Sequence, residues 1–449
     1  MTSSGRFEPG GPLRGTLRPP PDKSISHRAA LLGAMGEGET SVSGVLSSED
    51  TDATLRAVSA LGAEVDSERR ADGALELRIG GIGLRGPATR HEPGATGIDV
   101  GNAGTLLRVL PGWLAGQGGG TWVLDGDESI RRRPVDRVAE PLTAMGATVE
   151  CREGRLPPLR VEGAELRGIE YRLPVASAQV KSCVLLAGLL ADGETSVIEP
   201  APTRDHTERM LAAAGIEVGS EDTTVAVRTP ARRRITVHPA DRIEPHPIDV
   251  PGDFSSAAFF VVAAVLVPES RIRVEGVGLN PTRIGLLGVL HRMGAGVEVE
   301  EAAASGGEPR GEIMARHGPL RGTRVGGAEV PLAIDELPLV ALLGCFADGE
   351  TVVEGAEELR HKESDRIAAV VAGLRGLGAE IEERADGFAV QGTGELRGGR
   401  LDARGDHRMA MLGAVAGLAS RTGVEAAGIE AAAVSYPRFE SDLDSLLAA

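Results

Sequence analysis

The chain contains very little lysine. Of its 48 basic residues only Lys23, Lys181 and Lys362 are lysines, so 48 - 3 = 45 are arginines. A guanidinium group stays charged under ordinary conditions, whereas the lysine ammonium is a compact donor whose pKa shifts readily. The three lysines are therefore candidate functional residues.

Cysteine is also scarce. Cys151, Cys183 and Cys345 form an odd, scattered set without a CxxC pair, which indicates reduced thiols and no structural zinc. Long apolar runs are missing too, since no segment approaches the ~18 consecutive apolar residues of a membrane-spanning helix. The first 21 residues lack the basic and then apolar pattern of a secretory signal. We expect a globular cytoplasmic protein without a membrane partner.

The net charge of -17 argues against a nucleic-acid partner, because neutralising phosphates requires a broad basic face. It leaves room for a small anionic ligand, since a cleft can concentrate positive charge while the outer surface stays acidic.

A repeated triplet organises the chain. Gly-Glu-Thr begins at Gly38, Gly193 and Gly349, with spacings of 193 - 38 = 155 and 349 - 193 = 156. Half of this spacing is about 78 residues, and 449/78 is about six, which indicates six structural repeats.

Each repeat has the same pattern: an apolar helix, a β-rich run, an amphipathic helix and an acidic β-branched strand. The amphipathic helices end in glycine, as a left-handed C-terminal cap requires: Gly62, Gly146, Gly215, Gly294 and Gly378. The pattern predicts an α+β protein of six similar units that form two domains. The proline-rich segment 232–256 follows the third unit and is the predicted hinge.

The first unit contains "PDKSISHRA". A helix that begins near Ser24 would place Ser24 and Arg28 on one face, with Lys23 at its N-terminus. A helix N-terminus with two cations is suited to a carboxylate or phosphate. A helix cap alone would explain Ser24, but not the two cations.

The second unit contains "DVGNAGTLLR" and "DESIRRRPV". The glycines on either side of Asn102, Gly101 and Gly104, would let backbone amides approach an anion closely. A plain turn explains this segment about equally well. A solvated basic turn is likewise an alternative for most of the arginines 131–133.

The third unit contains "ASAQVKS", in which Ser177 and Gln179 can form hydrogen bonds and Lys181 is the second lysine. It continues with "TRDHTER", which includes Arg204 and His206. No spacing here is typical of a metal site. We interpret His206 as a surface residue rather than a ligand.

The second half of the chain adds carboxylates to the cations. In "AIDELP", Asp335 and Glu336 stand at a predicted helix start, where capping is the alternative role. In "LRHKESDRI", we interpret Lys362 and Glu363 as a proton-transfer pair and Arg366 as an anion clamp. "RGDHRMAM" places three more charged residues at a helix start: Asp406, His407 and Arg408.

These residues resemble one known family. The motifs "DKSISHR", "GNAGT", "RRPV", "SAQVKS", "RDHTE", "PGDFSS", "NPTR", "IDELP", "LRHKESDR" and "DHRMAM" occur here in the order found in the EPSP synthase family. The resemblance covers nearly the whole chain. It implies two domains, each of three βαβαββ units in an inside-out, barrel-like arrangement that closes on a central cleft. We expect one domain to comprise 1–21 and 248–449, and the other to comprise 22–247.

The resemblance also implies an activity without a metal or organic cofactor: transfer of the enolpyruvyl group of phosphoenolpyruvate to the 5-hydroxyl of shikimate 3-phosphate. It implies catalytic roles for Lys23, Asp335, Lys362 and Glu363. The expected contacts of shikimate 3-phosphate, besides Lys23, Asp335 and Lys362, are Ser24, Arg28, Ser177, Ala178, Gln179 and Arg204. The expected contacts of phosphoenolpyruvate are Lys23, Gly104, Arg133, Gln179, Arg366 and Arg408, with Asn102 and His407 in support.

Several positions depart from the better-known members. Ala178 replaces a second serine, which is typical of the branch that contains glyphosate-tolerant enzymes. Gly104 is the glycine that tolerant members replace by alanine, so the sensitivity to glyphosate stays open. Val434 stands where many relatives have a lysine.

Two alternatives remain. A UDP-N-acetylglucosamine enolpyruvyl transferase would share the fold but typically has a cysteine on a loop in the second unit, where 113–121 has none. A non-catalytic anion-binding repeat protein would explain the arginines but not the adjacent carboxylates and lysine. We expect the protein to be a monomer.

Overall fold

The computed structural model describes residues 3–86, 94–223 and 232–447. The predicted domain bounds begin at residue 1 and end at residue 449. Residues 1–2 and 448–449 lie outside the described residues. Two compact units are present. The terminal unit comprises Met1–Pro20, Pro251–Ala303 and Pro309–Ala449, and the central unit comprises Pro21–Val250 and Ala304–Glu308. Within the described part of the chain, no helix is long and apolar enough to cross a membrane.

The α-helices, numbered over the described residues, are α1 Lys23–Met35, α2 Glu49–Ala60, α3 Gly104–Ala115, α4 Asp136–Met145, α5 Ala178–Gly188, α6 His206–Ala213, α7 Phe254–Leu266, α8 Gly285–Met293, α9 Val330–Ala333, α10 Leu337–Phe346, α11 Arg366–Gly376, α12 His407–Ala419 and α13 Phe439–Leu447. Short 3-10 helices occupy Ile130–Arg132, Gly327–Glu329, Glu357–His361 and Ile429–Val434.

The strands of the central unit are β3 Glu39–Val45, β4 Glu64–Arg69, β5 Leu75–Gly80, β6 Thr96–Asp99, β7 Thr121–Asp125, β8 Thr148–Arg152, β9 Leu156–Glu162, β10 Leu166–Arg167, β11 Glu170–Arg172, β12 Ala191–Asp192, β13 Thr195–Glu199, β14 Val218–Thr223, β15 Arg232–Val237 and β16 Ile248–Asp249. The strands of the terminal unit are β1 Ser4–Phe7, β2 Arg14–Leu17, β17 Arg271–Gly278, β18 Gly296–Ser305, β19 Glu308–Arg316, β20 Arg324–Val325, β21 Glu350–Val353, β22 Glu380–Arg384, β23 Gly387–Gln391, β24 Gly399–Asp402 and β25 Val424–Ala427. The hairpin tip between β18 and β19 packs as part of the central unit.

The repeat is clearest in the order β6, α3, β7, α4, β8, β9. Its strands form one sheet in the order β6-β7-β9-β8, in which β6 and β7 are parallel and the other neighbours are antiparallel. The sheets β11-β13-β15-β14 and β20-β21-β23-β22 have the same order and directions. The predicted βαβαββ unit is therefore confirmed.

Three of the six repeats are completed by strands that are distant in sequence. β16 pairs in parallel with β3 and supplies the first strand of the first repeat. β2 does the same for β17 in the fourth repeat, and β1 pairs antiparallel with β25 to close the sixth. Among the described residues, the sheets are separate and none closes into a barrel.

The terminal unit and the central unit each have their own hydrophobic core. The apolar helices that open the repeats are almost entirely buried: every residue of α7 is buried, as are most residues of α5, α10 and α12.

The predicted glycine caps are confirmed. Gly62, Gly146, Gly215, Gly294 and Gly378 all have φ between 79° and 119°. Side chains rarely adopt this left-handed region, so glycine ends each helix and turns the chain into the following strand.

Candidate active site

In the central unit, Lys23 is the first residue of α1. Asp22 caps the helix by accepting a hydrogen bond from the Ile25 amide at 2.9 Å. The Lys23 ammonium lies 3.1 Å from Asp50 and remains 22% exposed. Burial alone would raise the pKa of Asp50, but Lys23 and His27 outweigh it and hold this pKa below its ordinary value. Lys23 is therefore an accessible cation whose position is fixed by a carboxylate.

Arg28 lies one turn further along α1 and is buried. Its Nε donates to Thr207 Oγ1 and its Nη2 to Ser182 Oγ, both at 2.8 Å, while Nη1 donates to the Ser24 carbonyl at 3.0 Å. Burial lowers the pKa of Arg28 to about 10, although Glu208 opposes the shift. The guanidinium group is held mainly by neutral acceptors, so its charge is available to an anion.

The start of α3 lies against Arg133. Arg133 Nη2 donates to Asn102 Oδ1 at 2.7 Å. A Cβ atom on Gly104 would lie 2.9 Å from Arg133 Nη1 and 3.2 Å from Arg108 Nη1. Glycine therefore lets two guanidinium groups approach the helix N-terminus, where Asn102, Gly104 and Arg133 lie together.

The start of α5 lies beside the same helix. Ser177 caps α5 by accepting from the Val180 amide at 3.4 Å. Gln179 donates to Thr105 Oγ1 at 3.1 Å and accepts from Arg108 Nη1 at 3.3 Å. Ala178 follows the cap as the first residue of α5. Gln179 thus links the start of α5 to the first turns of α3.

Arg204 lies in the loop between β13 and α6 and is partly buried. His206, two residues on, was interpreted as a surface residue, and this interpretation is wrong. Its ring is 1% exposed, and Nδ1 lies 2.7 Å from Glu308 Oε1. The charged sequence around His206 suggested solvent, but a carboxylate 102 residues away provides a buried partner.

In the terminal unit, Arg366 is the first residue of α11, with its side chain 1% exposed. Its guanidinium group donates to Asp406 Oδ2 at 2.8 Å, Asp335 Oδ1 at 3.0 Å and Glu363 Oε2 at 2.5 Å. Burial would lower the pKa of Arg366, but Glu363, Asp406 and Asp335 raise it. Arg366 therefore organises three carboxylates.

Glu363, the predicted proton-transfer partner of Lys362, accepts a hydrogen bond from Arg366 at 2.5 Å. The carboxylate that acts most strongly on Lys362 is Asp335. Desolvation, with a smaller contribution from Arg366, lowers the pKa of Lys362. Asp335, which also accepts from Arg366, is therefore a second candidate beside Glu363 for proton exchange with Lys362.

Glu336 does not cap α10, which was its alternative role. Although it precedes the helix, its side chain makes no capping hydrogen bond. It accepts instead from Ser255 Oγ and, at 3.2 Å, from Arg283 Nη1. Glu336 therefore stands at a capping position in the sequence, but its carboxylate forms a buried ion pair with Arg283.

Arg408 and His407 open α12. Arg408 Nη2 lies 3.4 Å from Asp335 Oδ2 and Nη1 lies 3.9 Å from Glu336 Oε1. Its buried Nε has no hydrogen-bond partner among the described residues. A buried donor of this kind is suited to a ligand, since leaving it unsatisfied is unfavourable. His407 is buried beside it.

Several residues of these networks were not predicted as site residues. Asp50, Thr207, Ser182 and Arg108 hold predicted site residues in place, yet Arg28 is separated from Thr207 by 179 residues and from Ser182 by 154. Such contacts have no local sequence signal. Within the described ranges, no group of three or more His, Cys, Asp or Glu side chains is placed to hold a metal ion.

Solved structures and relatives identify the class of protein. The chain superposes on an enolpyruvyl transferase, NikO from Streptomyces tendae, with a TM-score of 0.72 over 98% of this chain and 96% of that one at 17% identity, which shows a shared fold. It superposes on EPSP synthase from Acinetobacter baumannii with a TM-score of 0.85, at 39% identity over 99% and 98% of the two chains.

The family is also shown by sequence. The profile of EPSP synthase (3-phosphoshikimate 1-carboxyvinyltransferase) matches residues 7–443. The 3-phosphoshikimate 1-carboxyvinyltransferase of Prochlorococcus marinus is 47% identical over 448 residues, which cover 99% of this chain and 98% of the relative. The chain belongs to the EPSP synthase family, so the resemblance stated from its motifs is confirmed.

Proposed function

We propose that this enzyme transfers the enolpyruvyl group of phosphoenolpyruvate to the 5-hydroxyl of shikimate 3-phosphate, a step towards chorismate and the aromatic amino acids. The observation that supports this function best is the position of Asp335. It contacts Arg366 at 3.0 Å and Arg408 at 3.4 Å and is the main carboxylate acting on Lys362. Proton transfer beside an anionic substrate needs such an acid/base group flanked by guanidinium groups.

The reaction is an addition followed by an elimination. The 5-hydroxyl oxygen bonds to C2 of phosphoenolpyruvate, its proton leaves to a base, and another proton adds to the methylene carbon. The resulting tetrahedral adduct loses phosphate from C2 and a proton from the methyl carbon, which restores the double bond. We assign the hydroxyl proton to Asp335 with Lys362, and proton exchange at the methylene carbon to Glu363.

The proposed contacts of shikimate 3-phosphate lie mostly in the central unit. Arg28 with Ser24 would bind the carboxylate, and the α5 N-terminus with Arg204 would bind the phosphate, since helix N-termini and guanidinium groups favour anions. The full proposed set is Lys23, Ser24, Arg28, Ser177, Ala178, Gln179, Arg204, Asp335 and Lys362.

The proposed contacts of phosphoenolpyruvate are mostly cationic side chains, which suit its carboxylate and phosphate groups. Lys23 and Gln179 would contact both substrates, and Asn102 would hold Arg133 towards the ligand through their 2.7 Å hydrogen bond. His407 would support Arg408. The full proposed set is Lys23, Gly104, Arg133, Gln179, Arg366 and Arg408.

We further propose a cytoplasmic monomer that needs no metal or organic cofactor and has no nucleic-acid or membrane partner. The net charge of -17 supports the proposed absence of a nucleic-acid partner. We propose functional domains of 1–21 with 248–449 and of 22–247.

Phosphate release from phosphoenolpyruvate tests the function. Purified protein is assayed with shikimate 3-phosphate, with UDP-N-acetylglucosamine and without an acceptor. We expect release only with shikimate 3-phosphate, and a loss of about 10²–10⁴ in turnover for Asp335→Asn because an amide cannot take the proton. Asp348→Asn, an exposed carboxylate of the same unit, is the matched control. Release only with the nucleotide sugar, or with neither acceptor, would contradict the proposal.

A further inference from the structure

Lys181 has no role among the proposed substrate contacts, although it is one of only three lysines. It lies on α5, two residues after Gln179, and its side chain is 1% exposed. Burying an ammonium group is strongly unfavourable unless it is paired and hydrogen-bonded. The structure must therefore compensate this charge.

Two buried carboxylates supply the compensation. Lys181 Nζ lies 3.0 Å from Glu199 Oε2, at the end of β13, and 2.7 Å from Glu208 Oε1, in the first turn of α6. It also donates to the Thr203 carbonyl at 3.4 Å, while Thr203 Oγ1 donates to Glu199 Oε2 at 2.7 Å. Burial would lower the pKa of Lys181, but Glu208 and Glu199 raise it.

These contacts fix the loop that carries Arg204. Glu199 precedes the loop, Thr203 lies within it and Glu208 follows it, so one ammonium group joins the loop's two ends and its middle to α5. Because α5 begins at the proposed phosphate contact Ala178, the loop is fixed relative to that contact.

The same helices also hold Arg28. Ser182 and Thr207, the sequence neighbours of Lys181 and Glu208, accept hydrogen bonds from Arg28 at 2.8 Å and lie 2.7 Å from each other. A shift between α5 and α6 would therefore move the acceptors of Arg28 as well as Arg204.

We infer that Lys181 is a positioning residue for shikimate 3-phosphate: by bridging Glu199 and Glu208 it sets Arg204 and Arg28 relative to the α5 N-terminus. It does so without contacting the substrate. This inference rests on the proposed function, because that function makes Arg204 and Arg28 substrate contacts.

The test separates positioning from folding. Lys181→Met leaves two buried carboxylates unpaired and risks a failure to fold. Lys181→Met/Glu199→Gln removes the bridge but keeps the net charge of the three groups at -1, since +1 - 2 becomes 0 + 0 - 1. Leu185→Ala, a fully buried residue of the same helix outside the network, is the matched control for lost stability.

For the double variant we expect the KM for shikimate 3-phosphate to rise about tenfold or more, because small displacements of binding groups have large effects. The KM for phosphoenolpyruvate and kcat should stay within about twofold, since the interaction lost is one of binding. The control Leu185→Ala should lower Tm and leave both KM values unchanged.

Three outcomes would overturn the inference. One is a wild-type KM for shikimate 3-phosphate in the folded double variant. Another is an equal rise of both KM values, and the third is the same KM change in Leu185→Ala. If the wild-type protein itself releases no phosphate with shikimate 3-phosphate, the proposed function fails and the inference fails with it, so the two failures are distinguishable.

Discussion

Lys181 in the central unit and Lys362 in the terminal unit have opposite electrostatic surroundings. Lys181 contacts two buried carboxylates at 2.7 and 3.0 Å. Burial alone would lower the pKa of Lys181, but the two carboxylates outweigh it and the pKa is raised. At Lys362 the loss of solvent dominates and lowers the pKa, while Asp335 opposes the shift only in part. One ammonium group is therefore stabilised in its charged form, and the other is destabilised in that form.

This difference separates two uses of a scarce residue. A lysine that is fully paired in the protein interior contributes structure, because removing its charge exposes the cost of burying its partners. A lysine whose charged form is disfavoured can release a proton more readily near neutral pH, which suits acid/base chemistry. The comparison predicts that the two lysines differ in what their removal damages.

The largest expected effect is on catalysis at Lys362. For Lys362→Met we expect turnover to fall by about 10²–10⁴, because the proposed proton-transfer partner of Asp335 is lost. Stability should rise, since a desolvated amine is removed. Phosphate release and thermal unfolding measure the two effects.

Arg360→Met is a suitable control for Lys362→Met. This neighbouring cation is paired with Asp365 and Glu383 near the surface and is outside the proposed site. We expect it to keep near-normal turnover. Near-normal turnover in Lys362→Met would remove Lys362 from the mechanism and break the comparison.

The next largest effect is on stability at Lys181. We expect Lys181→Met to lower the free energy of unfolding by about 3–5 kcal/mol, because two carboxylates stay buried without their cation. Denaturant unfolding measures the loss, and Lys181→Met/Glu199→Gln should recover part of it. Wild-type stability in the single variant would show that the bridge contributes little.

A smaller effect distinguishes the lysines by pH. The raised pKa of Lys181 contributes stability below the unfolded value of 10.5, and this contribution is lost only as the pH rises through the higher folded value. Because the pKa of Lys362 is lowered, its charged form destabilises the folded protein at lower pH. This penalty is relieved as the pH rises from the pKa in the folded state towards the unfolded value of 10.5.

Urea unfolding between about pH 7 and pH 10 tests these signs. The advantage of Lys362→Met over wild type should shrink as the pH rises, whereas the deficit of Lys181→Met should stay constant. Each difference is taken against wild type at the same pH, so other titrating groups largely cancel. A constant difference for Lys362→Met would contradict its lowered pKa.

The sequence predicted the repeat more completely than the contacts inside the site. The spacing of Gly38, Gly193 and Gly349 and the capping glycines report local backbone geometry, and all have positive φ in the structure. Such local requirements leave a periodic signal. The pairing of β1 with β25 leaves none, because the two strands lie at opposite ends of the chain.

The site shows the same limit. The family motifs and helix starts predicted the residues at the N-termini of α1, α3 and α5, because capping and anion binding depend on adjacent positions. They did not predict that Lys181 would pair with Glu199 and Glu208, or that Arg366 would bind Glu363. These choices depend on distances set by packing between helices.

The smallest effect concerns Lys23, which is intermediate between the other two lysines. It is 22% exposed, and its carboxylate partner among the described residues is Asp50, at 3.1 Å. Asp50→Asn keeps an acceptor oxygen but removes the charge, so we expect kcat/KM to fall by less than about tenfold. Both substrates should be affected alike, because Lys23 is proposed to lie between them.

Asp50→Ala sharpens this test because it removes the acceptor as well. Its loss in kcat/KM should exceed that of Asp50→Asn, since the ammonium group then loses its orientation in addition to its counter-charge. Steady-state kinetics with each substrate varied in turn provides the measurement. Equal losses in the two variants would show that Asp50 acts on Lys23 through charge alone. Wild-type kinetics in both would mean that Lys23 needs no partner to stay in place.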